Sequence, residues 1–119
     1  MDSSAVVRVT PNYCSEKAAV LHEIARDNLW PVTVHQGGFT AAPLHCHEAP
    51  VCIYVFSGAL LVDGGRKVPP VNACAGARVD IPAGAAHTVS AAGPVITITA
   101  FTSSAFAASL PQLPVSDDA

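Results

Sequence analysis

Three histidines stand out by their spacing. His45 and His47 flank a single residue, and His87 closes the run Ile81-Pro82-Ala83-Gly84-Ala85-Ala86-His87. Side chains on a strand alternate with a period of two, so a His-x-His pair puts both imidazoles on one face. A Pro-x-Gly turn brings a third imidazole back across the fold towards the same point. Neutral imidazoles are good ligands for a divalent transition metal, and three of them leave a position open, as in a catalytic rather than a structural centre. The expected chemistry is that of a metal centre inside a small β-barrel, with His45, His47 and His87 as the ligands.

The elements that must position these residues are mostly strands. Val6–Val9 reads as a short edge strand ending at Pro11. From Ser15, a suitable N-cap, Ala18, Leu21, Ile24 and Ala25 recur at helical spacing until Asp27-Asn28. After Trp30-Pro31 the signals are those of strands: Val32–His35, the His-x-His stretch, Val51–Phe56, Ala59–Val62 and Val95–Phe101. Between them lie Gly37-Gly38, Ala49-Pro50, Asp63-Gly64-Gly65, Pro69-Pro70, Ala75-Gly76 and Ala92-Gly93-Pro94, all turn chemistry. Many short strands so punctuated predict an all-β sandwich or barrel.

Composition bounds the rest. A chain of 119 residues has room for one domain with one core. Residues 1–30 are expected to pack a strand and a helix on a barrel of residues 31–108, followed by a tail, 109–119, without fixed structure. Half of the residues are hydrophobic, only 13% are charged, and the mean hydropathy is +0.40. So apolar a composition in a small domain leads one to expect a homodimer. A net charge of −3 argues against a nucleic-acid partner. No apolar run approaches the roughly 18 residues of a membrane span, and no secretory pattern opens the sequence. The four cysteines, at 14, 46, 52 and 74, match no zinc-ribbon or Cys-x-x-Cys spacing. A cytoplasmic protein with reduced thiols is the expectation.

Two ordered motifs resemble those of the cupin superfamily, small jelly-roll β-barrels with a metal at the centre. The first runs Gly38, His45, His47 and Gly58, with the opening spacing one residue longer than is usual in that family. The second, Gly-x5-Pro-x-Gly-x2-His-x3-Asn, is matched by Gly76, Pro82, Gly84 and His87, with Ala91 in place of the asparagine. The resemblance covers residues 31–101 and implies a cupin-type barrel with one short N-terminal helix outside it.

One departure matters. Cupins commonly add a glutamate to the three histidines, but counting back from Gly58 puts Val51 there, and a looser count puts Cys52 there. The resemblance therefore narrows to cupin-like enzymes that hold Fe(II) with three histidines, such as thiol dioxygenases and diketone-cleaving dioxygenases. Three neutral ligands leave the full divalent charge on a metal, which favours an anionic ligand in the open positions.

Three further residues are candidates for lying beside the ligands. His35, on the strand before the motif, either lines the pocket or faces solvent. Glu48 should be turned away by strand alternation unless Ala49-Pro50 lets it curl inward. Tyr54 shares a face with Cys52. Arg78 and Asp80 share one face of a strand and read as a solvent-facing pair.

The function expected is that of a metalloenzyme, a non-haem Fe(II) dioxygenase type acting on a small, partly apolar molecule that chelates the metal. Two alternatives stand beside it. One is a non-redox lyase, isomerase or cyclase using Zn, Mn or Ni; the other is a metal or small-molecule binding module, or sensor, without turnover. Imidazole suits Fe, Zn, Cu and Ni alike, so the residues do not name the metal.

Overall fold

A computed structural model describes residues 6–13, 16–27, 29–36, 44–47, 49–65, 69–101 and 113–114. Among the described residues there are ten strands and one helix, and all strand pairings are antiparallel. The elements are β1 (Arg8–Thr10), α1 (Lys17–Arg26), β2 (Trp30–Gln36), β3 (His45–Cys46), β4 (Val51–Ser57) and β5 (Ala59–Asp63). Then follow β6 (Val71–Cys74), β7 (Arg78–Ile81), β8 (Thr88–Ser90), β9 (Ile96–Phe101) and β10 (Leu113–Pro114). They form a five-stranded sheet, β1-β7-β4-β9-β2, a three-stranded sheet, β6-β5-β8, and a two-stranded ladder, β10-β3. The fold is therefore mostly β with one short helix.

Strand β4 explains the layering. Its first five residues, Val51 to Val55, are all buried, as expected of a central strand covered on both faces. Val51, Ile53 and Val55 point between the two larger sheets, where they meet Val79 and Ile81 of β7 and Leu60, Val62 and Ala73 of the smaller sheet. The alternate residues, Cys52 and Tyr54, point the other way and pack with Ile98, Ala100 and the helical residues Val20 and Ile24.

Helix α1 is turned differently from the reading of its apolar spacing. Ala18, Leu21 and Ala25 are exposed; Val20 and Ile24 are the buried pair. Ten residues are too few to hold a helix in water alone, so docking decides its orientation. Burying Val20 and Ile24 contributes about 1.5–3 kcal/mol each. The same rotation carries Glu23 to Tyr54 and Arg78 on the sheet, a polar requirement that the apolar periodicity does not contain. Glu16 occupies the N-cap without a side-chain cap bond, and the expected cap, Ser15, lies outside the described residues.

Two turns bear on the site. After Ser57 the chain reverses at Gly58, whose φ is +79° and where a Cβ atom would stand 2.3 Å from the Pro94 carbonyl oxygen. Only glycine fits there. In Pro82–Ala85 the Ala85 N–H donates to the Pro82 carbonyl at 3.0 Å, with Gly84 at φ +79° in the third position, the arrangement of a type II turn.

The tail departs from expectation in one place. Leu113 and Pro114, in a stretch read as lacking fixed structure, pair with Cys46 and His45 of β3. A two-residue strand is too short to leave a periodic pattern, and only its distant partner reveals it. No helix among the described residues is long and apolar enough to cross a membrane.

A candidate metal centre of three histidines

Strand β3 carries His45, and His47 follows it directly. The third histidine meets them through the backbone. The His45 N–H donates to the His87 carbonyl at 3.1 Å, and the His87 N–H donates to the His45 carbonyl at 2.8 Å, forming an isolated antiparallel bridge. A further bond ties the Pro-Ala-Gly turn to the same stretch: the Gly84 N–H donates to the His47 carbonyl at 2.8 Å. The two motifs, forty residues apart in sequence, are thus fastened by three main-chain hydrogen bonds.

The rings converge as this backbone requires. Centroids lie 4.9 Å apart for His45 and His47, 4.4 Å for His45 and His87, and 5.0 Å for His47 and His87. One nitrogen from each lies within 4.8 Å of the others. Metal–imidazole bonds of about 2.0–2.1 Å place ligand nitrogens within roughly 4 Å of one another, so the spread suits a shared ion. Among the described residues no carboxylate or thiolate joins the group.

His87 shows the electronic preparation most clearly. It is 3% exposed, and its Nδ1 lies 2.9 Å from the Ala85 carbonyl oxygen. A carbonyl only accepts, so Nδ1 carries the proton and Nε2 keeps the lone pair that a metal needs. Burial foremost, with the neighbouring His45 and His47 imidazoles, pushes His87 down to about 4, against the opposing pull of the Ala85 carbonyl. At neutral pH this side chain is uncharged, the form in which imidazole ligates.

The other candidates are distributed as follows. Glu48 lies outside the described residues. His35 is placed by its backbone in β2, opposite Thr97 of β9. Tyr54 is not brought to the histidines: its side chain is wholly buried on the helix-facing side of β4, and its hydroxyl donates to Glu23 at 2.6 Å. Cys52 shares that face, whereas Val51 points into the interior between the sheets. Of the two positions counted for the missing glutamate, Val51 is the one on the interior side. Among the described residues Cys46, Cys52 and Cys74 are free thiols.

A polar cluster beneath α1 has no signature of its own in the sequence pattern. Arg78 does bond Asp80 at 2.9 Å, but it is no solvent-facing pair. Its guanidinium donates to Glu23 at 2.9 Å and stands 5.3 Å from the ring centres of both Tyr13 and Tyr54. Glu23 accepts from Tyr13, Tyr54, Arg78 and Arg26. Burial alone pushes the Glu23 carboxyl up, but the two tyrosine hydroxyls and the arginine charges outweigh it and hold it below the ordinary range. Tyr13, Glu23, Tyr54 and Arg78 come from separate stretches of the chain, and no local spacing joins them. The helical period offered one hint, because Glu23 follows Val20 by three residues.

No protein-family model matches the chain, and no curated protein matches it. The β-rich fold and the histidine group are compatible with the cupin resemblance of the two motifs.

Proposed function

We propose that this chain is a cupin-type metalloprotein whose centre is His45, His47 and His87, and that it acts as a non-haem Fe(II) dioxygenase type of enzyme on a small, partly apolar chelating molecule. The observation that carries this reading is the convergence of three imidazoles, one of which turns Nδ1 to the Ala85 carbonyl oxygen and so keeps Nε2 available to a metal. The reading goes beyond the antiparallel sheets described above by closing them into a jelly-roll barrel around the site.

The chain's own part follows from chemistry. Three neutral ligands cancel none of a divalent charge, so an enolate, thiolate or carboxylate is drawn to the open positions. Val51, Ile53 and Val55 supply an apolar interior, which suits a ligand held by its donor atoms rather than by ion pairs. Bound iron would supply the oxygen chemistry, and the protein would supply orientation and exclusion of water.

Metal analysis of the protein purified from its native host, with oxygen uptake on a panel of diketones, thiols and phenols, tests the reading. Iron with uptake supports it. Zinc, manganese or nickel with turnover but no uptake replaces it with a lyase, isomerase or cyclase, and metal without turnover replaces it with a binding module. The proposal includes a homodimer, for which light scattering at micromolar concentration should give twice the chain mass.

A further inference from the structure

Strand β3 is two residues long, yet it carries one ligand and leads into another. One of its edges is used up by His87: both main-chain polar groups of His45 are bonded there, at 3.1 and 2.8 Å. In an extended chain the next residue turns its N–H and carbonyl the opposite way. Those of Cys46 therefore face the other edge, and along that edge Leu113 lies in register with Cys46 and Pro114 with His45.

The order of these two residues suits the register. Leu113 has an N–H to offer opposite Cys46, where donor and acceptor are both presented. Pro114 has none and stands opposite His45, whose polar groups are already engaged with His87. Proline is confined to ladder positions where no donor is called for, and this is one. Among the described residues β10 is the only strand paired along that edge of β3.

We infer that β10 is a positioning strap for the metal-ligand strand: pairing of Leu113 with Cys46 holds His45 and His47 in the geometry that binds metal. The inference rests on the metal-centre reading and extends it to the regulation of that site by a segment distant in sequence. Besides the strap, the His87 bridge and the Gly84 bond tie the His45–His47 stretch to the rest of the fold. Ligands less fixed beforehand bind more weakly, because ordering them then costs part of the binding free energy. Loss of groups that orient metal ligands typically weakens affinity by about 10–100-fold, and the lower end of about tenfold is expected for a strap acting through the backbone.

The test compares the full chain with two variants, a chain ending at Pro111 and the full-length Leu113→Pro, which removes the N–H facing Cys46. Zinc affinity is measured by competition with a chromophoric chelator, and exchange of the Cys46 amide is followed by NMR. Both variants should keep a cooperative thermal transition, bind zinc about tenfold more weakly than the full chain and exchange the Cys46 amide faster. Equal zinc affinity in a folded variant overturns the strap, as does an unchanged Cys46 amide. Should the shortened chain fail to fold, Leu113→Pro decides by the same two readouts; failure of both to fold overturns the strap too, by making β10 part of the core. A full chain that binds no zinc, iron or manganese overturns the metal-centre reading instead, and the Cys46 amide still reports on the pairing.

Discussion

His45 and His87 are joined edge to edge by two main-chain hydrogen bonds, so two of the three candidate ligands are partners in one β-bridge. Their rings, 4.4 Å apart between centroids, sit on residues that backbone pairing brings together. The site should therefore survive loss of an imidazole as a fold while losing its chemistry, because the apolar core supplies most of the burial.

The turn glycines should differ sharply in what they tolerate. Gly58→Ala meets both a positive φ and a backbone oxygen at 2.3 Å, and should destabilise the fold by roughly 3 kcal/mol or more. Gly84→Ala has the same φ but nothing within 4 Å, so only the conformational cost of about 1–2 kcal/mol applies. Urea unfolding of the two variants measures the difference. Equal losses would show that the close approach to Pro94 is not maintained in solution.

The cluster under α1 predicts a pH dependence with a definite sign. Glu23 is held below its ordinary pKa when folded, so the stability it contributes is fully present above the unfolded value, about 4.3. It is lost as pH falls through the lower folded value. Glu23→Gln should therefore destabilise the protein at pH 7, and its deficit should shrink below about pH 4 as the native carboxylate is protonated. Tyr54→Phe, which removes the 2.6 Å donor, should cost about 1–3 kcal/mol at neutral pH. Parallel denaturation curves at pH 7 and pH 3 check both, and a deficit that grows on acidification would contradict the network.

How much of this was legible in the sequence depends on how local the cause is. The histidine pair and the Pro-Ala-Gly turn were readable because a period of two and a positive φ are properties of a few adjacent residues. Strand β4 was readable in the same local way, as the stretch Val51–Phe56. The face of α1 was not, since Glu23 turns inward only because Tyr54 and Arg78 wait on two other strands. Arg78, read as half of a surface pair, is bound to a residue fifty-five positions away. Leu113-Pro114 carries no pattern of its own; its role exists only opposite His45 and Cys46.

The absent carboxylate gives a third expectation. Val51 faces the interior while Cys52 faces the helix, so Val51→Glu is the substitution that offers a fourth ligand. It should tighten metal binding and weaken the affinity for azide or an enolate analogue, because a carboxylate cancels part of the metal charge. Spectroscopic titration of the metal-loaded variant reads both. Unchanged anion affinity, with a glutamate–metal bond present, would contradict the charge argument.

Metal content of His87→Ala beside the parent protein tests the central claim most directly. Both should be folded and equally loaded in the same metal bath, then dialysed and measured by elemental analysis. The parent should retain one divalent ion per chain, and His87→Ala, like His45→Ala and His47→Ala, should retain little. Stoichiometric metal held by the His87→Ala protein would contradict a centre built from His45, His47 and His87.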